Sequence, residues 1–374
     1  MSDDVVIIGA GASGMTCAAM LQRHGLSSTI LERSDSVASA WRTRPDNLRL
    51  TGGRRTSTLS WSKFPHTAGI FPTRSELIEY LEHYAASKHL TIRTGVLAHR
   101  IERDDDQWRI DTTTGPVSAR YVIVATGVFA VPHVPDWPGA DLAASRMIHS
   151  SGYRNPAPFA GRDVLIIGAG TTAMEIAGEL EAAGARSVQM AVRTPPNIVP
   201  RIIGALPGVK LLLRLPARIG DAQMRVIRRI SIGDLTEFGL PVPPDGPFSL
   251  LKQRHTDPGI IDTATLRGIR SRRIVIVPTV ERLDEAGAYL IDGSYIQVDN
   301  IIAATGFRPG LEPLVGHLGI LDRRGVPSPD ALRQYPGLHF TGFESVPGQL
   351  AFCADSAGRI TKAITADLKR SHAA

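Results

Sequence analysis

The chain has 374 residues, 43% of them hydrophobic and 21% charged, a composition that suits a globular protein with room for two domains. Its net charge of +6 rests almost entirely on arginine, with no Lys/Arg block interleaved with aromatics, which argues against a nucleic-acid partner. Cys17 and Cys353 stand outside any Cys-x-x-Cys and no apolar run reaches the roughly 20 residues of a bilayer span, so a dithiol pair, a cysteine metal site and integral membrane association are all disfavoured.

The N-terminus enters a strand almost at once, at Val5 to Ile8, which leaves no room for a signal peptide and points to the cytoplasm. Gly9-Ala-Gly11-Ala12-Ser13-Gly14 follows, then a helix predicted over Met15 to His24 and stopped by Gly25, then a strand at Thr29 to Leu31. In such a turn the first glycine permits a tight bend. The second lets a pyrophosphate approach the backbone, and the third lets the helix pack close to the strand. The helix N-terminus offers free N–H groups and partial positive charge to the phosphates. Glu32 closes the second strand, 18 residues beyond Gly14, where a carboxylate accepts hydrogen bonds from a ribose diol. Arg33 follows it. Strand, glycines, helix and acid together predict a site for a dinucleotide without a 2′-phosphate, and FAD suits it.

Residues 42 to 68 are polar and aperiodic. Thr73 and Glu76 then form a capping box for a helix with Leu77, Tyr80, Leu81 and Tyr84 on one face. Strands are expected at 91–94, 108–112 and 119–126, the last running into Ala125-Thr126-Gly127. Val131 to Pro138 reads as a crossing between domains.

A second unit of the same kind begins at Asp163. Its turn carries Gly168 and Gly170, followed by Thr171 and Thr172, with Ala173 in the third small position. A helix over 173–183 and a strand over 188–192 complete it. Where the first unit has Glu32 the second has Val192, followed by Arg193. Losing the acid removes repulsion against a 2′-phosphate, and a guanidinium can bind one bidentately. This favours NADPH; the other reading is a surface arginine beside an NADH site that lacks its acid. Lys210 to Ile230 mixes leucine, isoleucine and arginine. It is expected to form a bent lid or a packed pair of helices, broken by Pro216 and Gly220, with a membrane-surface helix as the alternative. Strands follow at 274–277, 289–291 and 301–304, the last ending in Thr305-Gly306. Phe340-Thr341-Gly342-Phe343 and Gly348 precede a C-terminal helix over about 350–368. Its N-terminus could steady negative charge on a reduced flavin.

Several stretches together carry a resemblance: GAGASG with LERSDSVASAWR, FPTRSELIEYLEHYA, VIVATG, HSSGYR, GAGTTAMEIA, VRTPPNIVPR, GDLTEFGLPVPPDGP and AATGF. The chain resembles the class B flavin monooxygenases, and among them the YUCCA-type and related bacterial flavin-containing monooxygenases. That resemblance implies an α/β fold of two Rossmann-like, glutathione-reductase-like domains. The NADPH domain (156–307) would be inserted in the FAD domain (1–155 and 308–374). It implies NADPH- and O2-dependent transfer of one oxygen atom to a small organic substrate through a flavin C4a-(hydro)peroxide. The rival is a reductase or oxidase that passes electrons to a quinone, a protein or O2. A homodimer is one assembly it allows. Trp41 and Arg42 fall in the family's FAD-contacting loop. His149 and Tyr153 match the end of its motif Phe-x-Gly-x-x-x-His-x-x-x-Tyr, whose first half departs to Ala143 and Ser145. Thr51 stands where related enzymes carry an asparagine beside the flavin, which makes Thr51 and Arg55 the catalytic candidates. Arg54 is a weaker one, and Lys63 and His66 fall in an access loop. The substrate is left open among N- or S-oxidation, Baeyer–Villiger insertion and oxidative decarboxylation of a 2-oxo acid.

Overall fold

Val5–Ile8 (β1) is buried at every residue, as an inner strand of a parallel sheet must be. A computed structural model describes residues 4–205, 216–254, 259–343 and 349–373. The turn after β1 leads into helix Ala12–Arg23 (α1), which returns to strand Ser28–Leu31 (β2). Helix Arg74–Ser87 (α2) then delivers strand Thr91–Arg93 (β3). Its capping box forms as the sequence implies: the Glu76 N–H donates to Thr73 Oγ1 at 3.2 Å, and the Thr73 N–H donates to Glu76 Oε2 at 2.7 Å. Leu77, Tyr80, Leu81 and Tyr84 are all buried. Two further strands, Tyr121–Val124 (β4) and one near the C-terminus described below, complete a five-stranded parallel sheet.

The same arrangement is built a second time. Met147–His149 (β5), Asp163–Ile167 (β6), helix Thr171–Ala182 (α3), Ser187–Ala191 (β7), helix Ala217–Ser231 (α4), Ile274–Val277 (β8) and Asn300–Ala303 (β9) follow in chain order. Leu338–Phe340 (β10) and helix Cys353–Ala373 (α5) close the described chain. The first sheet has the order β10-β4-β1-β2-β3 and the second β8-β7-β6-β9-β5, every pairing parallel. In both, the strand that carries the glycine turn is central. Along β6, Val164 and Ile166 enter one apolar core while Leu165 and Ile167 enter another. That is why the run reads as continuously hydrophobic. Each sheet is accompanied by a three-stranded antiparallel meander, at 98–119 and 280–297. The fold is therefore mixed α/β with parallel sheets.

The chain divides into two compact units: residues 1–42, 54–131 and 307–374, and residues 43–53 with 132–306. Here the structure differs from the sequence-based boundary at 156. Residues 132–155 go with the second unit because β5 pairs with β9 through Met147, Ile148 and His149. Segment 43–53 goes there too, for reasons given below. The change of unit falls between Val131 and Pro132, inside the proline-punctuated stretch.

Three smaller expectations are corrected. The strand expected over 119–126 is two, Val117–Ala119 and Tyr121–Val124, because the chain leaves the meander and enters the parallel sheet at Arg120. Strand Ala98–Asp104 escaped notice because its charged residues hide the alternation. Finally, 217–231 is one continuous helix. Pro216 starts it, and Gly220 does not break it: a Cβ at Gly220 would come within 2.8 Å of the Phe248 ring, so this glycine lets α4 lie against the helix at Pro247–Arg254. Residues 210–215 of the expected lid, and Gly348, lie outside the described residues.

Candidate functional site

The three glycines of the first loop do three different jobs. Gly9 has φ +109°, and a Cβ there would meet the Ala125 carbonyl oxygen at 2.7 Å. A Cβ on Gly14 would sit 2.1 Å from the Gly9 carbonyl oxygen, so only glycine lets α1 approach its strand this closely. Gly11 is different: φ is −82° and a Cβ would meet nothing within 4 Å. It N-caps α1 with no side-chain hydrogen bond. The first N–H groups of α1 thus have open space before them, which fits a phosphate drawn to the backbone.

Glu32 is buried at 6% exposure, and its place is prepared from within the protein. One carboxylate oxygen accepts the Ala10 N–H at 2.8 Å; the other accepts the Ser34 N–H at 3.0 Å and the Ser39 hydroxyl at 3.3 Å. A carboxylate has about four acceptor positions, so one stays free for a diol. Arg33 is exposed beside it. Ala38, at φ +58° and buried, carries the chain past this carboxylate into the short helix Ser39–Arg42. Trp41 is half-buried there, and Arg42 forms an exposed ion pair with Glu82. Thr126 and Gly127 follow Ala125 directly, so this turn flanks the first glycine loop. Gly342 (φ +80°) closes on the same loop, since a Cβ there would meet Ser13 Oγ at 2.8 Å. Phe343 packs edge-on to Phe340 at 6.0 Å. The two cysteines, distant in sequence, approach each other here. α1 lies along α5, Ser13 Oγ is 3.4 Å from Cys353 Sγ, and burial, then the charge of Cys353, push the Cys17 thiol far up.

The second loop repeats this geometry. Gly168 has φ +133°, and a Cβ would meet the Ala304 carbonyl oxygen at 2.3 Å. Gly170 (φ −76°) N-caps α3 without a side-chain cap, and a Cβ there meets nothing within 4 Å. Ala173 is 1% exposed, the third small residue against the strand. Thr171 is spoken for, its hydroxyl accepting the Ile260 N–H at 2.9 Å, while Thr172 is exposed. A cavity of about 590 Å³ opens at this loop. Gly168, Gly170, Arg193, Asn197, Thr279 and Thr305 are among the residues that line it. Arg193 therefore shares a wall with the glycine turn, as a group that reads a 2′-phosphate must. The turn Ala304-Thr305-Gly306 abuts the second glycine loop, within its own unit, through the Ala304 carbonyl.

His149 and Tyr153 act as fasteners in this unit. The Ser151 N–H donates to His149 Nδ1 at 3.1 Å, so Nε2 carries the proton and donates to the Gly306 carbonyl at 2.9 Å. Thr305 holds the same turn by donating to the His133 carbonyl. Tyr153, 1% exposed, donates to Glu179 of α3 at 2.8 Å. Two arginines that the sequence reading left without a role hold segment 43–53. Arg154 donates to the Thr43 carbonyl, and the Asp46 N–H donates back to the Arg154 carbonyl at 2.7 Å. Arg201 donates to the carbonyls of Arg49 at 3.1 Å and Leu50 at 3.2 Å. It is clamped in turn by Asp262 at 2.7 Å and by Glu175. Burial works against its charge, but Asp262 and Glu175 outweigh it and raise its pKa. The available signal was their place inside HSSGYR and VRTPPNIVPR.

Of the catalytic candidates, Thr51 is half-buried in the second unit and Arg55 is exposed in the first. Arg54 donates to the carbonyls of His66 and Ala68, both at 2.6 Å, which makes it a brace for that loop. Lys63 and His66 are exposed. Among the described residues no group of three His, Cys, Asp or Glu could hold a metal, and no helix is long and apolar enough to cross a membrane.

Residues 6–200 match the family described as pyridine nucleotide-disulphide oxidoreductase. The chain is 35% identical over 350 residues to the indole-3-pyruvate monooxygenase YUCCA1 of Oryza sativa subsp. japonica, covering 90% of this chain and 86% of that one. It is 32% identical over 350 residues to the probable indole-3-pyruvate monooxygenase YUCCA1 of Arabidopsis thaliana, covering 90% and 84%. Among solved structures, the flavin-containing monooxygenase of Stenotrophomonas maltophilia superposes with a TM-score of 0.76 at 25% identity, over 98% of this chain and 99% of that one.

Proposed function

The chain belongs to the pyridine nucleotide-disulphide oxidoreductase family and, within it, to the class B flavin monooxygenases that include the YUCCA enzymes; from that premise we propose that it converts a 2-oxo acid of the indole-3-pyruvate type to the acid one carbon shorter. It is an NADPH- and O2-dependent enzyme that inserts one oxygen atom. In the proposed reaction 2-oxo acid, O2, NADPH and a proton yield carboxylic acid, CO2, water and NADP+. The substrate class rests on relatives of 30–35% identity, several of them carrying that activity in their names.

The single structural observation behind the cofactor assignment is the asymmetry of the two loops. Each presents an open N-cap glycine to a phosphate. One is followed by a buried, pre-oriented carboxylate, and the other by an arginine on the wall of the adjoining cavity. FAD belongs to the first, with Gly9, Gly11, Gly14 and Glu32 as its principal contacts. NADPH belongs to the second, with Gly168, Gly170 and Arg193. In this reading the two units are Rossmann-like domains of the glutathione-reductase type, and the NADPH unit is inserted in the FAD unit. Flavin supplies hydride acceptance and oxygen activation. The protein's residues bind the pyrophosphates on α1 and α3, read the riboses through Glu32 and Arg193, and hold their turns through His149 and Thr305. Thr51 carries a hydroxyl where related enzymes carry an amide. Cys17 and Cys353, both buried thiols, suit a reducing cytoplasm.

The test is isotopic. With 18O2, NADPH and indole-3-pyruvate, the product acid should carry one 18O and NADPH should be consumed in equal amount. NADPH consumption matched by hydrogen peroxide, with no label in any organic product, would mean a reductase or oxidase. Label in a ketone-derived ester or an N-oxide, but not with 2-oxo acids, would refute the substrate class.

A further inference from the structure

Helix α4 in the second unit is turned the opposite way from an ordinary amphipathic helix, which hides its aliphatic residues and shows its charges. Its buried residues are Gly220, Asp221, Met224 and Arg228, two of them charged. Its β-branched aliphatics face out: Ile219 is 49% exposed, Val226 59% and Ile230 82%. Spacings of seven and four residues bring these three onto one stripe about 16 Å long. Arg218, Arg225 and Arg229 repeat the same spacing one residue earlier, and all are exposed. An arginine column therefore runs beside the aliphatic one, about 100° round the helix. The only acid in α4 is Asp221, and it faces inward. Its Oδ1 accepts the Phe248 N–H at 2.7 Å and its Oδ2 accepts the Ser249 hydroxyl. The outward face thus combines positive charge with aliphatic surface and carries no negative charge.

Helix stability does not account for this pattern. Arg229 suits the negative end of the helix dipole, but Arg218 stands in the first turn, where a cation opposes it. Single exposed aliphatics are ordinary on a protein surface, whereas three in register beside three cations mark a contact.

We propose that α4 is a contact for an anionic lipid surface. The helix lies in the plane of the membrane, with Ile219, Val226 and Ile230 at the acyl-chain boundary and the arginines on headgroup phosphates. Charge decides this occupant. A second copy of the chain, docked through a two-fold axis, would set one arginine column close to another. An anionic headgroup layer supplies the opposite charge. Among the described residues no helix is long and apolar enough to cross a membrane, so the contact is peripheral.

Cosedimentation of the purified flavoprotein with vesicles tests this. It should bind vesicles of equal parts phosphatidylcholine and phosphatidylglycerol, and not phosphatidylcholine alone. Each basic residue at such a surface contributes roughly fivefold, so Arg225→Gln/Arg229→Gln should bind about 25-fold more weakly. Val226→Ser/Ile230→Ser should lose about tenfold, and what remains should vanish at high salt. All four residues are exposed, so melting temperature and NADPH turnover should be unchanged. Failure to bind the anionic vesicles, or undiminished binding by either double variant, overturns the proposal. A dimer in sedimentation velocity that Val226→Ser/Ile230→Ser dissociates, with no vesicle binding by the original protein, assigns the face to a second copy instead. Should the serine variant not fold, a nitroxide on Ala222→Cys replaces it. Ala222 is exposed between the two columns, and the native thiols are buried away from the label. Anionic vesicles should raise the label's accessibility to O2 over that to a water-soluble nickel complex, and an unchanged ratio overturns the proposal equally.

Discussion

Replacing Gly170 by alanine adds one methyl where the protein itself has no atom within 4 Å. The backbone there, φ −76° and ψ −179°, is extended and open to alanine. The free protein should keep its melting temperature, or gain about 0.5 kcal/mol because the unfolded chain loses freedom. The methyl does, however, occupy the approach to the first N–H groups of α3. A phosphate held off those donors loses one or two charge-assisted hydrogen bonds of about 1.5–3 kcal/mol each, so NADP+ affinity should fall roughly ten- to hundredfold. Gly168→Ala should behave in the opposite way. Its φ of +133° and a Cβ 2.3 Å from the Ala304 carbonyl oxygen force the turn or β9 to move. Backbone strain alone costs about 1–3 kcal/mol, so this variant should melt lower before any ligand is added. Calorimetry without nucleotide, then equilibrium titration with NADP+, separates the two. FAD content, set by the other unit, should be unchanged in Gly170→Ala. Unaltered NADP+ affinity in that variant, or a loss of stability equal to that of Gly168→Ala, would refute the division of labour between the glycines.

Arg193→Ala should raise the KM for NADPH about tenfold and leave that for NADH unchanged, the exposed guanidinium being partly screened; equal effects on both would remove its 2′-phosphate role. Glu32→Gln should lower stability by about 1.5–3 kcal/mol, because an amide cannot accept from the Ala10 and Ser34 N–H groups on both of its ends, and FAD content should fall with it; full flavin loading at unchanged melting temperature would contradict this. Acid should destabilise the fold through two histidines. Burial brings His339 down to about 4, and burial, opposed by the bond to the Gly306 carbonyl, lowers His149 as well. A depressed histidine pKa means that the unfolded chain binds more protons, so this stability is complete above about pH 6.5 and is lost as pH falls toward 4. At pH 5 His339 alone accounts for about 2 kcal/mol. His339→Gln should flatten the acid limb of melting temperature against pH, and an unchanged slope would sink the assignment.

The local parts of this protein were legible in its sequence. Val5–Ile8 and Asp163–Ile167 read as inner strands because residues buried on both faces leave no polar alternation. The Thr73/Glu76 box formed as spaced, since a cap depends on four neighbouring residues. The roles of Gly9, Gly11 and Gly14 followed from chirality and close approach. The contrast between Glu32 and Val192-Arg193 needed only an alignment of the chain with itself. Tertiary structure decided whatever depends on what meets across the sheet. It set Ala304 against Gly168, brought Cys17 and Cys353 together along α1 and α5, and turned Gly220 from a helix breaker into a contact surface. It also carried segment 43–53 into the second unit, on an arginine 152 residues away from Arg49. Propensity and period are properties of neighbours in the chain, so sequence carries them. A guanidinium that joins two helices to a loop's carbonyls is a property of the folded arrangement, and no spacing in the sequence encodes it.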